Sequence, residues 1–138
     1  MARRDVGVAE AQALLASDPG AIYLDVRTAA EFEAGHPVGA RNVPVVVLDP
    51  TSGRPMLNPD FVTIVRRHFA PTTTLVIACQ SGARSLHAYE LLADAGFTSL
   101  VHLRPGFGGA RGPGGRIVEP GWIDSGLPIA TGPEGRLD

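Results

Sequence analysis

Apolar residues follow two rhythms along this chain. Short, nearly continuous apolar runs at Ala21 to Asp25, Thr73 to Ala78 and Ser99 to Leu103 read as buried strands. Between them the spacing turns helical. Val8 to Ala16 reads as a short helix, and Thr28 to Ala34 as a helical turn capped by Thr28, with Glu31 three residues on as in a capping box. Asn58 suits an N-cap and Pro59 the first helical position. Phe61, Ile64, Val65 and Phe69 then form a stripe whose end carries Arg66, Arg67 and His68, cations that suit a helix C-terminus. Ala83 to Ala95 is a helix stopped by Gly96. Val43 to Leu48 contains Pro44 and is expected to be an edge strand or extended loop, followed by a turn over Asp49 to Arg54. Strands alternating with helices predict an α/β fold with a parallel central sheet of about five strands and helices on both faces. In such sheets ligands sit beyond the carboxyl ends of the strands, where Asp25, Cys79 and Arg104 would emerge.

With 138 residues the chain makes one domain, 1–138, able to bury about two-thirds of its extended surface without staples. The net charge is −2 and no basic run exceeds Arg66-Arg67-His68, which argues against a nucleic-acid surface. No apolar window approaches a membrane span, and Met1-Ala2-Arg3-Arg4-Asp5-Val6 leads into no apolar signal core. The cytoplasm is the expected compartment, with no nucleic-acid or membrane partner.

Cys79 changes this picture. It is the sole cysteine and stands where Leu75-Val76-Ile77-Ala78 gives way to Gln80-Ser81-Gly82-Ala83-Arg84-Ser85 and a helix. A tight loop closing on a helix N-terminus aims unpaired N–H groups at one point and adds the positive end of the helix dipole. A free thiol with pKa near ~8.5 is only slightly ionised at neutral pH, whereas electropositive helix starts bring cysteines to roughly 3.5–7.5. The dipole contributes about 0.3–1 kcal/mol and each pKa unit needs about 1.4 kcal/mol, so loop amides freed to turn by Gly82 and the charge of Arg84 are needed as well. The competing expectation is a small buried hydrophobe, the fate of many free cysteines. With no second cysteine there is no internal disulfide and no resolving thiol in the chain.

The segment from Cys79 to Ser85 resembles the active-site loop of single-domain rhodaneses. Leu24-Asp25-Val26-Arg27-Thr28-Ala29-Ala30-Glu31-Phe32-Glu33-Ala34-Gly35-His36 resembles a second signature of that family, and Trp122-Ile123-Asp124-Ser125-Gly126-Leu127-Pro128 a third. The three stand in the family's order over about residues 23–128. The resemblance implies a rhodanese-like fold and a thiosulfate sulfurtransferase. Cys79 would take sulfane sulfur from thiosulfate or a similar small anionic donor as a persulfide and pass it to cyanide, a thiol or a protein cysteine, with no metal or organic cofactor. It casts Gln80, Ser81, Gly82, Ala83, Arg84 and Ser85 as the anion-binding loop. Within it, Arg84 is expected to orient the anion at the rim, its alternative being an ion pair with Glu31 or Asp25. Gln80 and Ser81 shape the loop, and Ser85 is favoured as a helix N-terminal hydrogen-bonding group. Asp25 and Arg27 are expected to brace the loop rather than do chemistry. His36 is expected to stabilise its turn, and His102 ends a strand beside the site as a candidate for a role in the cleft.

Two departures from the family stand out. Pro37-Val38-Gly39-Ala40 carries its proline one place early, so the turn at His36 should differ locally. Residues 104–119 form an insertion rich in glycine, longer than the family's Gly-Gly segment, and which glycines correspond is open. A lid placing Arg111 and Arg116 over the anion is one expectation, and a surface excursion is the favoured one. Rival functions are a persulfide carrier without turnover, a docking module, and a phosphatase or arsenate reductase on the same fold. The last class places five residues between cysteine and arginine, and Gln80 to Ala83 supplies four.

Overall fold

The computed structural model describes residues 3–138. Five strands make one wholly parallel sheet: β1 (Asp5–Val6), β2 (Ile22–Asp25), β3 (Arg41–Asn42), β4 (Leu75–Ala78) and β5 (Leu100–Leu103), in the spatial order β1-β5-β4-β2-β3. Four helices accompany them: α1 (Val8–Ser17), α2 (Ala29–Ala34), α3 (Phe61–His68) and α4 (Ala83–Asp94).

The alternation of side chains along each strand sorts the core into two layers. On one face Leu24, Leu75, Ile77 and Cys79 pack with Phe61 and Val65 of α3 and Ala88 and Leu92 of α4. On the other, Tyr23, Val76, Ala78, Val101 and Leu103 pack with Ala11 of α1, Phe32 of α2 and Trp122. With both faces covered, the central strands need to be apolar throughout, which is why Leu75 to Ala78 and Leu100 to Leu103 are buried at every position. The expected α/β architecture with helices on both faces is the one found.

Local signals read from the sequence act where they were placed. Thr28 Oγ1 accepts from the Glu31 amide at 3.2 Å while the Glu31 carboxylate accepts from the Thr28 amide at 3.1 Å, completing the capping box of α2. Gly96 adopts φ +96° just past α4, and the Gly96 and Phe97 amides return to the carbonyls of Ala93 and Leu92, a Schellman close. His36 braces its turn as expected: Nδ1 lies 2.6 Å from the Phe32 carbonyl and the imidazole stacks on the Phe32 ring.

Three boundaries differ from expectation. Of the two expectations for Val43 to Leu48 the extended loop, not the edge strand, is the one found over its first half, and the sheet's edge belongs to β3. Val43 and Val45 donate to the carbonyls of Asp25 and Val26 and are buried, but Pro44 between them has no N–H to give. The chain then peels away, and Val46–Leu48 pairs antiparallel with Pro55–Leu57 in a separate ribbon. The opposite edge, β1, is only two residues long, too short to show a period. Asn58 does cap, its Oδ1 accepting from the Asp60 amide at 3.0 Å, but it caps a tight leading turn, and regular helix begins at Phe61.

Candidate active site

The site is built where β4 runs out. Cys79 follows the last residue of β4, Gln80 to Gly82 make the turn, and Ala83 opens α4. Gly82 has φ +114°, and a Cβ there would meet the Arg104 carbonyl at 2.7 Å, so only glycine allows this tight a turn. The turn brings two main-chain donors to one sulfur. Cys79 Sγ accepts from the Gly82 amide at 3.1 Å and from the Ser85 amide at 3.3 Å, and it lies 3.3 Å from Ser85 Oγ. These amides belong to the first turn of α4 and its lead-in, which have no earlier helical carbonyl to bond. Cys79 itself is 1% exposed. Ser81 and Ala83 stand exposed at the crest of the loop.

A second loop, after β5, presses on the first from beneath. The Phe107 and Gly108 amides donate to the carbonyls of Cys79 and Gln80, both at 2.8 Å. Gly106 sits at φ +66°, and a Cβ there would lie 2.5 Å from the Cys79 carbonyl oxygen; a Cβ on Gly108 would collide with the Gln80 side chain. Glycine at these two positions is therefore what lets the supporting loop reach the carbonyls of the sulfur-bearing one. This use of the glycine-rich segment was open in the sequence, where composition flagged the stretch without saying which glycines matter. The rest of the segment is a small ribbon, Ala110–Arg111 against Ile117–Glu119, tied by an Arg104–Glu119 ion pair at 2.7 Å. Arg111 donates to the Gly115 carbonyl within that excursion. Both Arg111 and Arg116 are exposed, in keeping with the favoured expectation of a surface excursion.

The two residues expected to brace the loop do so from within the protein. Asp25 and Arg27 form a buried ion pair at 2.7 Å, their side chains 1% and 3% exposed. Arg27 also donates to Gln80 Oε1 at 3.1 Å and to the Gly35 carbonyl at 2.7 Å, and its guanidinium lies 4.4 Å from the centre of the Phe107 ring. Gln80 is thus anchored through its Oε1, which leaves its Nε2 hydrogens available to donate. Phe107, which the sequence did not single out, is the platform for this arginine.

Arg84 stands at the rim, bonded bidentately to Glu31 at 2.6 and 3.0 Å. Of its two expected fates the ion pair with Glu31 is the one present. The guanidinium, helped by the amide of Thr28, pulls the Glu31 carboxyl down to about 2 and raises Arg84 in turn. Ser85 contributes its amide to the sulfur as expected, but its hydroxyl does more, lying 3.0 Å from the Gly82 carbonyl and 2.7 Å from His102 Nε2. His102 Nδ1 lies 3.1 Å from Asp5 Oδ1. Burial lowers the His102 pKa, against the opposing pull of the Asp5 carboxylate.

A parallel α/β sheet with a lone cysteine cradled by amides at a strand's carboxyl end places this chain among α/β domains that present a thiol at a strand-to-helix turn. The model of the Rhodanese-like domain matches residues 8–110, and the chain belongs to that family. It is similar to thiosulfate sulfurtransferase 16, chloroplastic, of Arabidopsis thaliana, at 37% identity over 77% of this chain and 77% of that one. To thiosulfate sulfurtransferase 18 of the same plant it is 37% identical, over 91% of this chain and 82% of the other. Other plant relatives are longer, the chain spanning 45% and 46% of two of them. Among solved structures, Rv0390 from M. tuberculosis superposes with a TM-score of 0.77 at 27% identity, over 96% of this chain and all of that one.

Two outcomes follow from this geometry. Gly106→Ala should destabilise the fold by about 2–4 kcal/mol, combining left-handed strain with a clash against main chain, and should disturb the Cys79 loop, as read by thermal unfolding and by amide shifts of Gly82 and Ser85. The Glu31–Arg84 pair should make stability pH-dependent. Because the folded Glu31 pKa lies near 2 against 4.5 for the free group, its contribution is fully present above about 4.5 and is lost as pH falls toward 2. Glu31→Gln should remove that part of the acid slope in unfolding measured from pH 6 to 2.

Proposed function

We propose that this protein is a thiosulfate sulfurtransferase that carries sulfur on Cys79. The observation that supports this reading is the pair of amides, Gly82 and Ser85, converging on the sulfur of the sole cysteine. Charge developing on that sulfur, or on a sulfur bonded to it, meets donors already oriented for it, with little reorganisation.

In the first half-reaction the Cys79 thiolate attacks the outer, sulfane sulfur of thiosulfate. The S–S bond of the donor breaks, sulfite departs with the bonding electron pair, and Cys79 is left as a persulfide anion. In the second, cyanide attacks the terminal sulfur, thiocyanate leaves, and the thiolate returns. A thiol or a partner's cysteine would serve in place of cyanide, and the absence of a second cysteine in the chain makes an external acceptor necessary. Arg84 supplies positive charge at the loop's edge, where a doubly charged donor competes with Glu31 for it. Asp25, Arg27 and Gln80 hold the loop, and Ser81 and Ala83 form its outer surface.

Steady-state assay with thiosulfate and cyanide is the test. The wild-type protein should turn over many times, and Cys79→Ser should lose at least about a thousandfold in kcat, as when a covalent nucleophile is removed. One equivalent of sulfur released without turnover would instead support a stoichiometric carrier, which shares only the first half-reaction.

A further inference from the structure

Cys79 is 1% exposed and His102 3% exposed, yet a continuous polar path joins the sulfur to the surface. From Sγ it passes to Ser85 Oγ at 3.3 Å, from there to His102 Nε2 at 2.7 Å, and from Nδ1 to Asp5 Oδ1 at 3.1 Å. Asp5 is 29% exposed at the side chain and is paired with Arg3 at 2.7 Å. The four groups come from β1, the end of β4, the first turn of α4 and β5. The parallel register that sets Asp5 opposite His102 is what closes the chain.

We infer that Ser85, His102 and Asp5 form a proton relay that takes the Cys79 thiol proton inward to His102 and so generates the attacking thiolate. The inference rests on Cys79 being the sulfur-carrying nucleophile proposed above. The direction of each bond follows from the partners. Asp5 is held as a carboxylate by Arg3, so it can only accept, and Nδ1 of His102 carries the hydrogen between them. Nε2 of the neutral ring is then an acceptor and takes the Ser85 hydroxyl hydrogen at 2.7 Å. That leaves a lone pair of Ser85 Oγ facing the Cys79 thiol, whose hydrogen it accepts.

Proton movement along this chain balances. The thiol hydrogen passes to Ser85 Oγ as the hydroxyl hydrogen passes to Nε2. The products are a thiolate hydrogen-bonded by the new Ser85 O–H and an imidazolium facing the Asp5 carboxylate. No group is oxidised or reduced. The Gly82 carbonyl, 3.0 Å from Ser85 Oγ, is the competing acceptor for the hydroxyl, and the shorter contact to Nε2 favours the relay. The charged and titratable groups around His102 are Asp5 and Arg3 on and before β1 and, through Ser85, Cys79 at the end of β4. Tyr89 and Glu90 of α4 act on Arg3. His102 and Asp5 reach the reacting sulfur only through Ser85 and are positioning residues in this sense.

Alkylation by iodoacetamide tests the relay directly, because a single cysteine makes the rate a reading of Cys79 alone. Rates would be measured from pH 5 to 10 on the wild type, His102→Gln and Asp5→Asn, with circular dichroism confirming the fold. His102→Gln, which can hydrogen-bond Ser85 but cannot take a proton, should slow alkylation at neutral pH about tenfold, equivalent to one pK unit. Its rate at high pH, where every thiol is ionised, should match the wild type, which a merely loosened structure would not give. Asp5→Asn should slow it about threefold with the same restoration. If His102→Gln does not fold, Asp5→Asn decides alone. Profiles that coincide with the wild type in folded variants overturn the relay. Thiosulfate–cyanide turnover on the same proteins separates the two proposals. Shifted alkylation with no wild-type turnover keeps the relay and removes the sulfurtransferase reading, whereas turnover with unshifted alkylation removes the relay alone.

Discussion

The buried Asp25–Arg27 ion pair holds the Cys79 end of this protein together. Two opposite charges almost wholly out of water carry a desolvation cost, which is offset only if their remaining hydrogen-bonding capacity is used. Here two hydrogen bonds and one contact with an aromatic ring tie the pair to three other pieces of chain. Asp25 ends β2, and Arg27 spans to the side chain of Gln80 beyond β4, to the carbonyl of Gly35 after α2, and to the ring of Phe107 after β5. Removing one partner of such a pair leaves an uncompensated charge, at a cost of about 3–5 kcal/mol. The loops it joins are the same loops that set the position of Cys79.

From that anchor the site follows by short steps. Gln80 is fixed at its side chain by Arg27 and at its carbonyl by Gly108. The Cys79 carbonyl is fixed by Phe107, so the loop between β4 and α4 has little freedom left. Gly82 then takes the one conformation that turns the chain into α4 with the Gly82 and Ser85 amides facing Sγ. Acting as the nucleophile proposed above, a Cys79 thiolate held this way would lose little entropy on reaching the transition state, and its charge would be met by dipoles that need not move. The arrangement places Cys79 at the carboxyl end of a parallel sheet, where strand ends from both halves of the fold contribute side chains and where the proposed sulfur transfer would take place.

The sequence made some of this legible and hid the rest for identifiable reasons. The central strands, α2 with its capping box, and α4 with Gly96 beyond it announce themselves through local period and caps. So does the placement of Cys79 at a strand-to-helix turn. The edge strands β1 and β3 do not, because two residues show no period and their pairing is decided by tertiary register. Pro44 turned Val43 to Leu48 away from a regular edge, leaving Val43 and Val45 bonded to the end of β2. The partner of Arg84 could not be chosen from sequence because Glu31 serves both the cap of α2 and the ion pair. Gly106, Phe107 and Gly108 were visible as composition but not as a support for Cys79. His102 and Ser85 are 17 positions apart and meet only through the placing of β5 beneath α4.

The most direct measurement is the intact mass of the protein after brief exposure to thiosulfate, taken beside a Cys79→Ser control under the same conditions. A gain of one sulfur atom on the wild type, reversed by cyanide and missing from the control, is the predicted result. An unchanged mass, or an equal gain on the control, would contradict the assignment of sulfur transfer to Cys79.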